Sequence, residues 1–454
     1  MPVDTAALAE LAAVEAELDT RWPETAIEPS LQRIAALVDL LGFPQTSYPV
    51  LHVAGTNGKT STARMLDALL SRIGLRVGRY TSPHLQRVTE RISIDAEPID
   101  PKAYVAAYRD IAPYVSLVDG GSEIAMSKFE VLTGMAFAAF ADAPVEAAVL
   151  EVGLGGRWDA TNVADAQVAL VTPIGVDHTG YLGTEVATIA AEKAGIIKPG
   201  SVAVLAGQSP EVARVLAQRC VETGATVARE GTEFGVLDRD IAVGGQRLRL
   251  QGLGGVYDEV FLPLHGEHQA RNAVLALAGV EAFFGAGASR QLDVDAVREA
   301  FAGVTAPGRL ERVRTAPSVL LDAAHNPHGA RALAATLREA FTFRRIVVVV
   351  AVMRDKDVRG ILDELEPVAD EVVVTRNSSP RAMDLDEVAA VARQVVGEER
   401  LRVEPRLDDA VEAAVAAAED VDSGSAPLSG GCVVITGSVV TAGEARTLFG
   451  REPA

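Results

Sequence analysis

Val50-Leu51-His52-Val53-Ala54-Gly55-Thr56-Asn57-Gly58-Lys59-Thr60-Ser61 is the stretch on which the reading of this chain turns. A short apolar run ends in a glycine-bracketed turn, after which Met65, Leu66, Leu69, Leu70 and Ile73 recur at helical spacing. Gly74 stops that helix, and residues 75–80 read as the next strand. Strand, loop and helix in this order are the context that a phosphate-binding loop requires. Small residues let backbone N–H groups converge on phosphate oxygens, and the helix N-terminus adds a favourable dipole. Lys59 supplies a point charge to terminal phosphates, and the hydroxyl after it can meet a metal or a phosphate. The longer spacing, with a glycine five residues before Gly58, is absent because Val53 stands there. The tighter Gly-Thr-Asn-Gly-Lys-Thr form is present instead.

Outward from this loop, strands are predicted at 147–152, 168–172 and 201–206, with helices between them. Segment 225–262 carries short alternating runs and many glycines, which predicts a small antiparallel section. Helices follow at 268–284 and about 293–301. Glycine and proline become frequent over 303–308, and the domain boundary is placed near residue 305. Beyond it, apolar runs at 319–323, 346–352, 372–375 and 433–436 alternate with helical patterns at 328–341, 358–369, 384–397 and 407–418. Such alternation implies a second parallel or mixed sheet. Residues 421–431 read as a surface loop within it. The fold expected is therefore α/β. A P-loop-type ATPase domain (1–305) has a central, mostly parallel sheet and a small antiparallel section, and a second, Rossmann-like α/β domain (306–454) follows.

Composition narrows the function classes. A chain of 454 residues with 48% hydrophobic and 23% charged content can bury more than one core. The net charge of -20 argues against a phosphate-backbone-binding surface, so no nucleic-acid partner is expected. The apolar stretches at 131–140 and 346–353 are too short to span a bilayer. The acidic N-terminus reads as an amphipathic helix over 7–19, without the basic start of a signal peptide. A cytoplasmic protein is expected. Cys220 and Cys432 stand far apart, in no metal-ligand spacing, and read as buried small hydrophobes.

Further motifs fall at predicted strand ends. Glu151 closes an apolar strand, where a carboxylate is costly unless it is paired or binds metal, and Gly153-Leu154-Gly155-Gly156 after it allows close backbone approach. Asp177-His178 follows the next strand, and Glu192-Lys193-Ala194-Gly195-Ile196 comes later. By themselves, His178 reads as a turn residue and Lys193 as an exposed helix lysine, because magnesium favours oxygen ligands. In the second domain, Asp322-Ala323-Ala324-His325-Asn326-Pro327-His328, Asp355-Lys356-Asp357 and Thr436-Gly437-Ser438 each follow a strand. Singly, each is balanced against a plain turn; together they would form one face of a crevice.

Taken in order, GTNGKTS (55–61), TSPHL (81–85), KFE (128–130), EVGLGGRWDATN (151–162), DHTGYLG (177–183), EKAGI (192–196), PGRLE (307–311), DAAHNPH (322–328), MRDKD (353–357) and TGS (436–438) resemble the folylpolyglutamate synthase/dihydrofolate synthase family of the Mur ligase superfamily. The resemblance covers nearly the whole chain. It implies ATP bound by Thr56, Asn57, Gly58, Lys59, Thr60 and Ser61, with Asn272, Arg309, Asp322, His325 and Ser438. It implies magnesium, two ions in all, with Ser82, Glu151 and His178 at its positions and Lys193 carried as a carbamate. Lys59, Lys193 and His325 are the implied catalytic side chains. Ile27, Glu28, Ser127, Phe129, Asp159 and Ala160 align with the pterin side, and Asp355 and Lys356 with the place where L-glutamate docks. Thr60 stands where the family usually has glycine, and Ser127 where it usually has threonine.

The reaction so implied is ATP-dependent addition of L-glutamate to dihydropteroate or a reduced folate, by a monomer, through an acyl phosphate. A ligase for a UDP-linked muramyl precursor is the nearest rival. It would carry a separate domain before the phosphate loop, and here only 54 residues precede it. A P-loop switch is the rival from another class, and it leaves the second domain unexplained.

Overall fold

Strand β1 (Val50–Ala54) is buried along its whole length, as its unbroken apolar run requires of a central parallel strand. In the computed structural model, which describes residues 5–23, 30–285, 290–420 and 430–453, it is the fifth of eight strands. The others are β2 (Val77–Tyr80), β3 (Ile92–Ile94), β4 (Glu97–Pro98), β5 (Ala147–Glu151), β6 (Val168–Val171), β7 (Val202–Leu205) and β8 (Thr226–Arg229), in the order β4-β3-β2-β5-β1-β6-β7-β8. All pairs are parallel except those made by β3 and β4. β1 has β5 on one side and β6 on the other, so the chain leaves it in opposite directions, which opens a crevice at the strands' carboxyl ends.

The helix Lys59–Ile73 buries Met65, Leu66, Leu69 and Leu70 on this sheet. Gly74, at φ +104°, ends it, and the Leu75 N–H returns to the Leu70 carbonyl, closing the orphan carbonyls of the last turn. A three-stranded antiparallel sheet follows: β9 (Gly235–Ala242), β10 (Gly245–Gln251) and β11 (Val256–Leu262), in the order β11-β10-β9. It shares one core with the helix Glu267–Phe283, in which every residue from Asn272 to Ala282 is buried. The antiparallel section is thus present but begins at Gly235. Thr226–Arg229, expected to belong to it, is instead the parallel edge of the large sheet; an edge strand with one buried residue gives no continuous apolar signal.

The second sheet contains β12 (Glu311–Thr315), β13 (Ser318–Leu321), β14 (Arg345–Val350), β15 (Glu371–Val374), β16 (Leu401–Val403) and β17 (Gly431–Thr436), in the order β12-β13-β17-β14-β15-β16. It is parallel apart from β12, with helices on both faces. The edge strands β12 and β16 were not legible as apolar runs, because their residues are only half-buried. The expected loop at 421–431 lies outside the described residues except for Gly430 and Gly431, and Gly431 opens β17. Cys220 and Cys432 are free and buried, as expected. No helix among the described residues is long and apolar enough to cross a membrane.

Candidate active site

The carboxyl ends of both sheets line one cleft of ≈ 870 Å³. On the first sheet, the chain leaves β1 through Gly55 (φ +148°), where a Cβ would stand 1.8 Å from Thr172 Oγ1. Gly58 (φ +89°) caps the following helix, and a Cβ there would meet Asn272 Oδ1 at 2.6 Å. Both glycines are therefore fixed by close approach as well as by φ. The loop is anchored from outside: Thr56 N–H donates to the Pro173 carbonyl, and Thr56 Oγ1 donates to the Gly175 carbonyl at 2.9 Å. Lys59 Nζ lies over the loop carbonyls of Gly55 and Thr56, at 3.3 and 3.2 Å. Ser61 Oγ is met by Gln269 Nε2 at 3.4 Å, and Gln269 in turn receives Asn272 Nδ2. Gln269 carried no sequence signal of its own; its position three residues before Asn272 on one helix was the available clue.

Beside β1, Glu151 ends β5 fully buried. Thr60 Oγ1 donates to its Oε1 at 2.9 Å, while Oε2 has no hydrogen-bond partner among the described residues. Burial raises this carboxyl's pKa, and the Lys59 charge and the Thr60 hydrogen bond oppose the rise. Lys193 is buried too and donates to the Gly55 carbonyl at 2.8 Å. Burial first, and then Lys59, lower its ammonium to about 7. The expectation of an exposed helix lysine, drawn from the residue alone, is thereby corrected: helix Val186–Lys193 points its last side chain into the core. His178 sits at φ +53°, and burial followed by the Lys356 charge lowers its ring to about 3, leaving a neutral imidazole. Ser82, Glu151 and His178 all line the cleft.

The pterin-side candidates divide. Ile27 and Glu28 lie outside the described residues. Ser127 caps helix Lys128–Asp142, its Oγ accepting from the Glu130 N–H. Phe129 packs beside Tyr80 and against Gly153, where a Cβ would fall 2.5 Å from the ring. Asp159 accepts from the N–H groups of Gly153, Leu154 and Thr161 and from the Thr161 hydroxyl. Its carboxylate thus shapes the glycine loop. Ser127, Phe129, Asp159 and Ala160 line the cleft, joined by exposed Trp22 and Trp158, which were not anticipated.

The second sheet supplies the opposite wall. Asp322, after β13, accepts from the N–H groups of Leu310 and Ala324 at 2.8 and 2.9 Å. Burial raises its carboxyl pKa and the Arg309 charge opposes this. Ser438 caps helix Val439–Leu448 and receives Asn377 Nδ2 at 3.2 Å. His325 Nδ1 contacts the Ala323 carbonyl at 2.9 Å. Asp355 pairs with Arg381 at 2.9 Å, and Lys356 Nζ reaches across to Asp177 Oδ1 at 2.6 Å. Asn326 and Asp177, both present in the quoted motifs without a role, therefore stand at the junction of the two walls.

Comparison with known proteins places these features in a family. Residues 116–280 match the Mur ligase middle domain, and residues 308–439 match the Mur ligase, glutamate ligase domain. The dihydrofolate synthase/folylpolyglutamate synthase of Mycobacterium tuberculosis is 61% identical over 463 residues, spanning 98% of this chain and 95% of the relative. The folylpolyglutamate synthase of Lacticaseibacillus casei is 33% identical over 432 residues, 94% of this chain and 96% of the relative. The Mycobacterium tuberculosis folylpolyglutamate synthase complexed with ADP and AMPPCP superimposes with a TM-score of 0.94 at 59% identity, covering 99% of this chain and 100% of that one. Escherichia coli FolC in complex with DHPP and ADP does so with a TM-score of 0.84 at 30% identity, covering 97% of each.

Proposed function

Because the chain belongs to the dihydrofolate synthase/folylpolyglutamate synthase family of Mur ligases, we propose that it joins L-glutamate to dihydropteroate, to the γ-carboxyl of tetrahydrofolate, or to both. It is an ATP-dependent, ADP-forming ligase. The observation that carries the reading is one cleft in which Lys59 and Glu151 face Asp322, His325 and Lys356, with Lys193 buried behind the phosphate loop on the Gly55 carbonyl. We assign residues 1–305 to nucleotide and acceptor binding and 306–454 to glutamate ligation. The protein is read as a monomer and as cytoplasmic, where ATP is supplied.

The acceptor carboxylate attacks the γ-phosphorus of ATP, forming an acyl phosphate and ADP. The L-glutamate amine then adds to the acyl carbon, and collapse of the tetrahedral intermediate expels phosphate and leaves the amide. Lys59 and the phosphate-loop N–H groups hold the charge that moves onto the nucleotide; Asn272, Arg309, Asp322, His325 and Ser438 hold the rest of it. No covalent nucleophile is required, because positioning and charge neutralisation do this work. Ser127, Phe129, Asp159 and Ala160 are assigned to the acceptor's pterin end, and Asp355 and Lys356 to L-glutamate.

Ser82, Glu151 and His178 fit a magnesium ion: all three line the cleft, a buried carboxylate oxygen is left without a partner among the described residues, and the imidazole is neutral. When bound, the ion neutralises phosphate charge. Lys193 suits conversion to a carbamate, in which its neutral amine adds to carbon dioxide with loss of one proton. The carbamate so formed would hold a second ion. A buried amine lowered to about 7 favours that chemistry.

ADP release tests the reading. Purified protein should form ADP only when given both L-glutamate and dihydropteroate or tetrahydrofolate monoglutamate, each acceptor being assayed separately. ADP formation indifferent to both substrates would sink it in favour of an ATPase switch, and turnover only with a UDP-linked muramyl acceptor would transfer it to the rival ligase.

A further inference from the structure

Asp177 has no role in the mechanism above, yet its carboxylate gathers side chains from the opposite wall of the cleft. Lys356 Nζ lies 2.6 Å from Oδ1, and Asn326 Nδ2 and His325 Nε2 lie 2.9 and 3.5 Å from Oδ2. From its own side come the His178 N–H, at 2.7 Å from Oδ1, and the His178 ring, whose Nε2 lies 3.9 Å from Oδ2. The Asp177 and Lys356 side chains are each 8% exposed, so solvent screens this pair little.

Asn326 carries the connection onward. Its Oδ1 caps helix Pro327–Ala340 by accepting from the Gly329 N–H at 2.8 Å. The same oxygen receives Asn57 Nδ2 at 3.2 Å, and Asn326 Nδ2 donates back to Asn57 Oδ1 at 3.1 Å. One polar chain therefore runs from Lys356, through Asp177 and Asn326, to Asn57 in the phosphate loop. A buried ion pair is weak evidence for stability, because desolvation offsets most of its attraction. Placement is better evidence of use. This chain links the residue assigned to glutamate with the loop assigned to phosphate, across the gap between the two sheets.

We propose that Asp177 is a positioning residue that couples acyl-phosphate formation to capture by L-glutamate. By fixing Lys356 and, through Asn326, the phosphate loop, it keeps the glutamate side closed against water while the acyl phosphate exists. Without it, water adds to the acyl phosphate in place of the amine, returning the acceptor carboxylate and phosphate, and ATP is spent without product. The proposal rests on the ligase reading.

The test is the ratio of ADP formed to glutamate incorporated, measured with acceptor, ATP and L-glutamate supplied together. Asp177→Asn keeps the size and one acceptor oxygen for Asn326 but removes the charge facing Lys356. The wild-type ratio is expected near one, rising about threefold or more in this variant. The KM for L-glutamate should rise about tenfold, with that for ATP changed less than about twofold. Asp177→Glu, which retains the carboxylate, should recover part of the coupling. In a Lys356→Met background, Asp177→Asn should add little, since two residues acting as one unit are non-additive. A purely structural role would lower all rate constants together with the melting temperature and leave the ratio near one, and that result overturns the proposal. So does an equal added effect of Asp177→Asn with and without Lys356. A wild-type protein whose ADP formation ignores L-glutamate overturns the ligase reading itself, which separates the two failures.

Discussion

The two sheets send their strand ends into the same cleft, but the side chains there are prepared differently. At the end of the first sheet, Asp159 and Asp177 are well bonded, but two buried groups beside the phosphate loop are left incomplete. Glu151 Oε2 has no partner among the described residues, and Lys193 is lowered to about 7 beside Lys59. At the second sheet, four groups lining the cleft are occupied: Asp322 holds two N–H groups, Ser438 caps a helix, and Asp355 and Lys356 each have a counter-charge. An incomplete buried group stays costly until something completes it, whereas an occupied one fixes the geometry of its neighbours. The contrast teaches a division of labour. The first wall is built to receive charge, and the second to hold partners in register.

The sharpest break of that contrast is Lys59→Ala. Removing the cation over the phosphate loop should lower kcat by about 10²–10³-fold, the scale of losing one preorganised electrostatic contact. A loss of only a few-fold in steady-state assays would mean that the first wall does not receive the charge. Next in size is Lys193→Ala, expected to lose nearly all ligation and to regain part of it when a short carboxylic acid is supplied. Full activity without supplement would end the carbamate assignment. The same lysine has a stability signature. Its folded-state value lies near 7 against 10.5 unfolded, so the unfolded chain binds more protons between those limits. With carbon dioxide removed, melting temperature should therefore rise with pH from about 7 towards 10.5, and Lys193→Met should flatten that slope.

A smaller effect is expected on the second wall. Asp322→Ala frees the N–H groups of Leu310 and Ala324 and so loosens the turn that carries Arg309. It should raise the KM for ATP about tenfold with kcat changed far less, as an alteration of binding shared by ground and transition states does. If kcat fell as far as in Lys59→Ala, the division between the walls would collapse.

The same division explains what the sequence could show. The phosphate loop was legible because strand, glycines, lysine and helix are contiguous, and local spacing alone imposes their geometry. Lys193 was not, since on an eight-residue helix it has the look of a surface residue, and only the fold turns it onto the Gly55 carbonyl. Asp177 and Asn326 are separated by 149 positions, so their contact exists only through the juxtaposition of two sheets. The edges β8, β12 and β16 escaped for a simpler reason: half-buried strands carry too few apolar residues to stand out. Family resemblance supplied Lys193, which residue chemistry alone read as an exposed lysine, and the second-wall residues, which residue chemistry left open.

The finest distinction concerns Thr60, which stands where the family usually has glycine. Its hydroxyl donates to Glu151 Oε1 at 2.9 Å and so satisfies one of the two buried carboxylate oxygens. That bond favours the charged form of Glu151 against the burial that raises its pKa. Thr60→Gly should therefore weaken the carboxylate's readiness to hold magnesium, with an added cost from glycine in the first turn of helix Lys59–Ile73. Thr60→Ser keeps the hydroxyl and separates the two causes. The expected outcome is a few-fold rise, about two- to fivefold, in the magnesium concentration for half-maximal ADP formation in Thr60→Gly, with Thr60→Ser close to wild type. Equal magnesium dependence in all three proteins would show that Glu151 is set by burial and the remaining influences, Lys59 first among them, without the Thr60 hydroxyl. The first wall would then owe its readiness to the incomplete oxygen, with no contribution from the satisfied one.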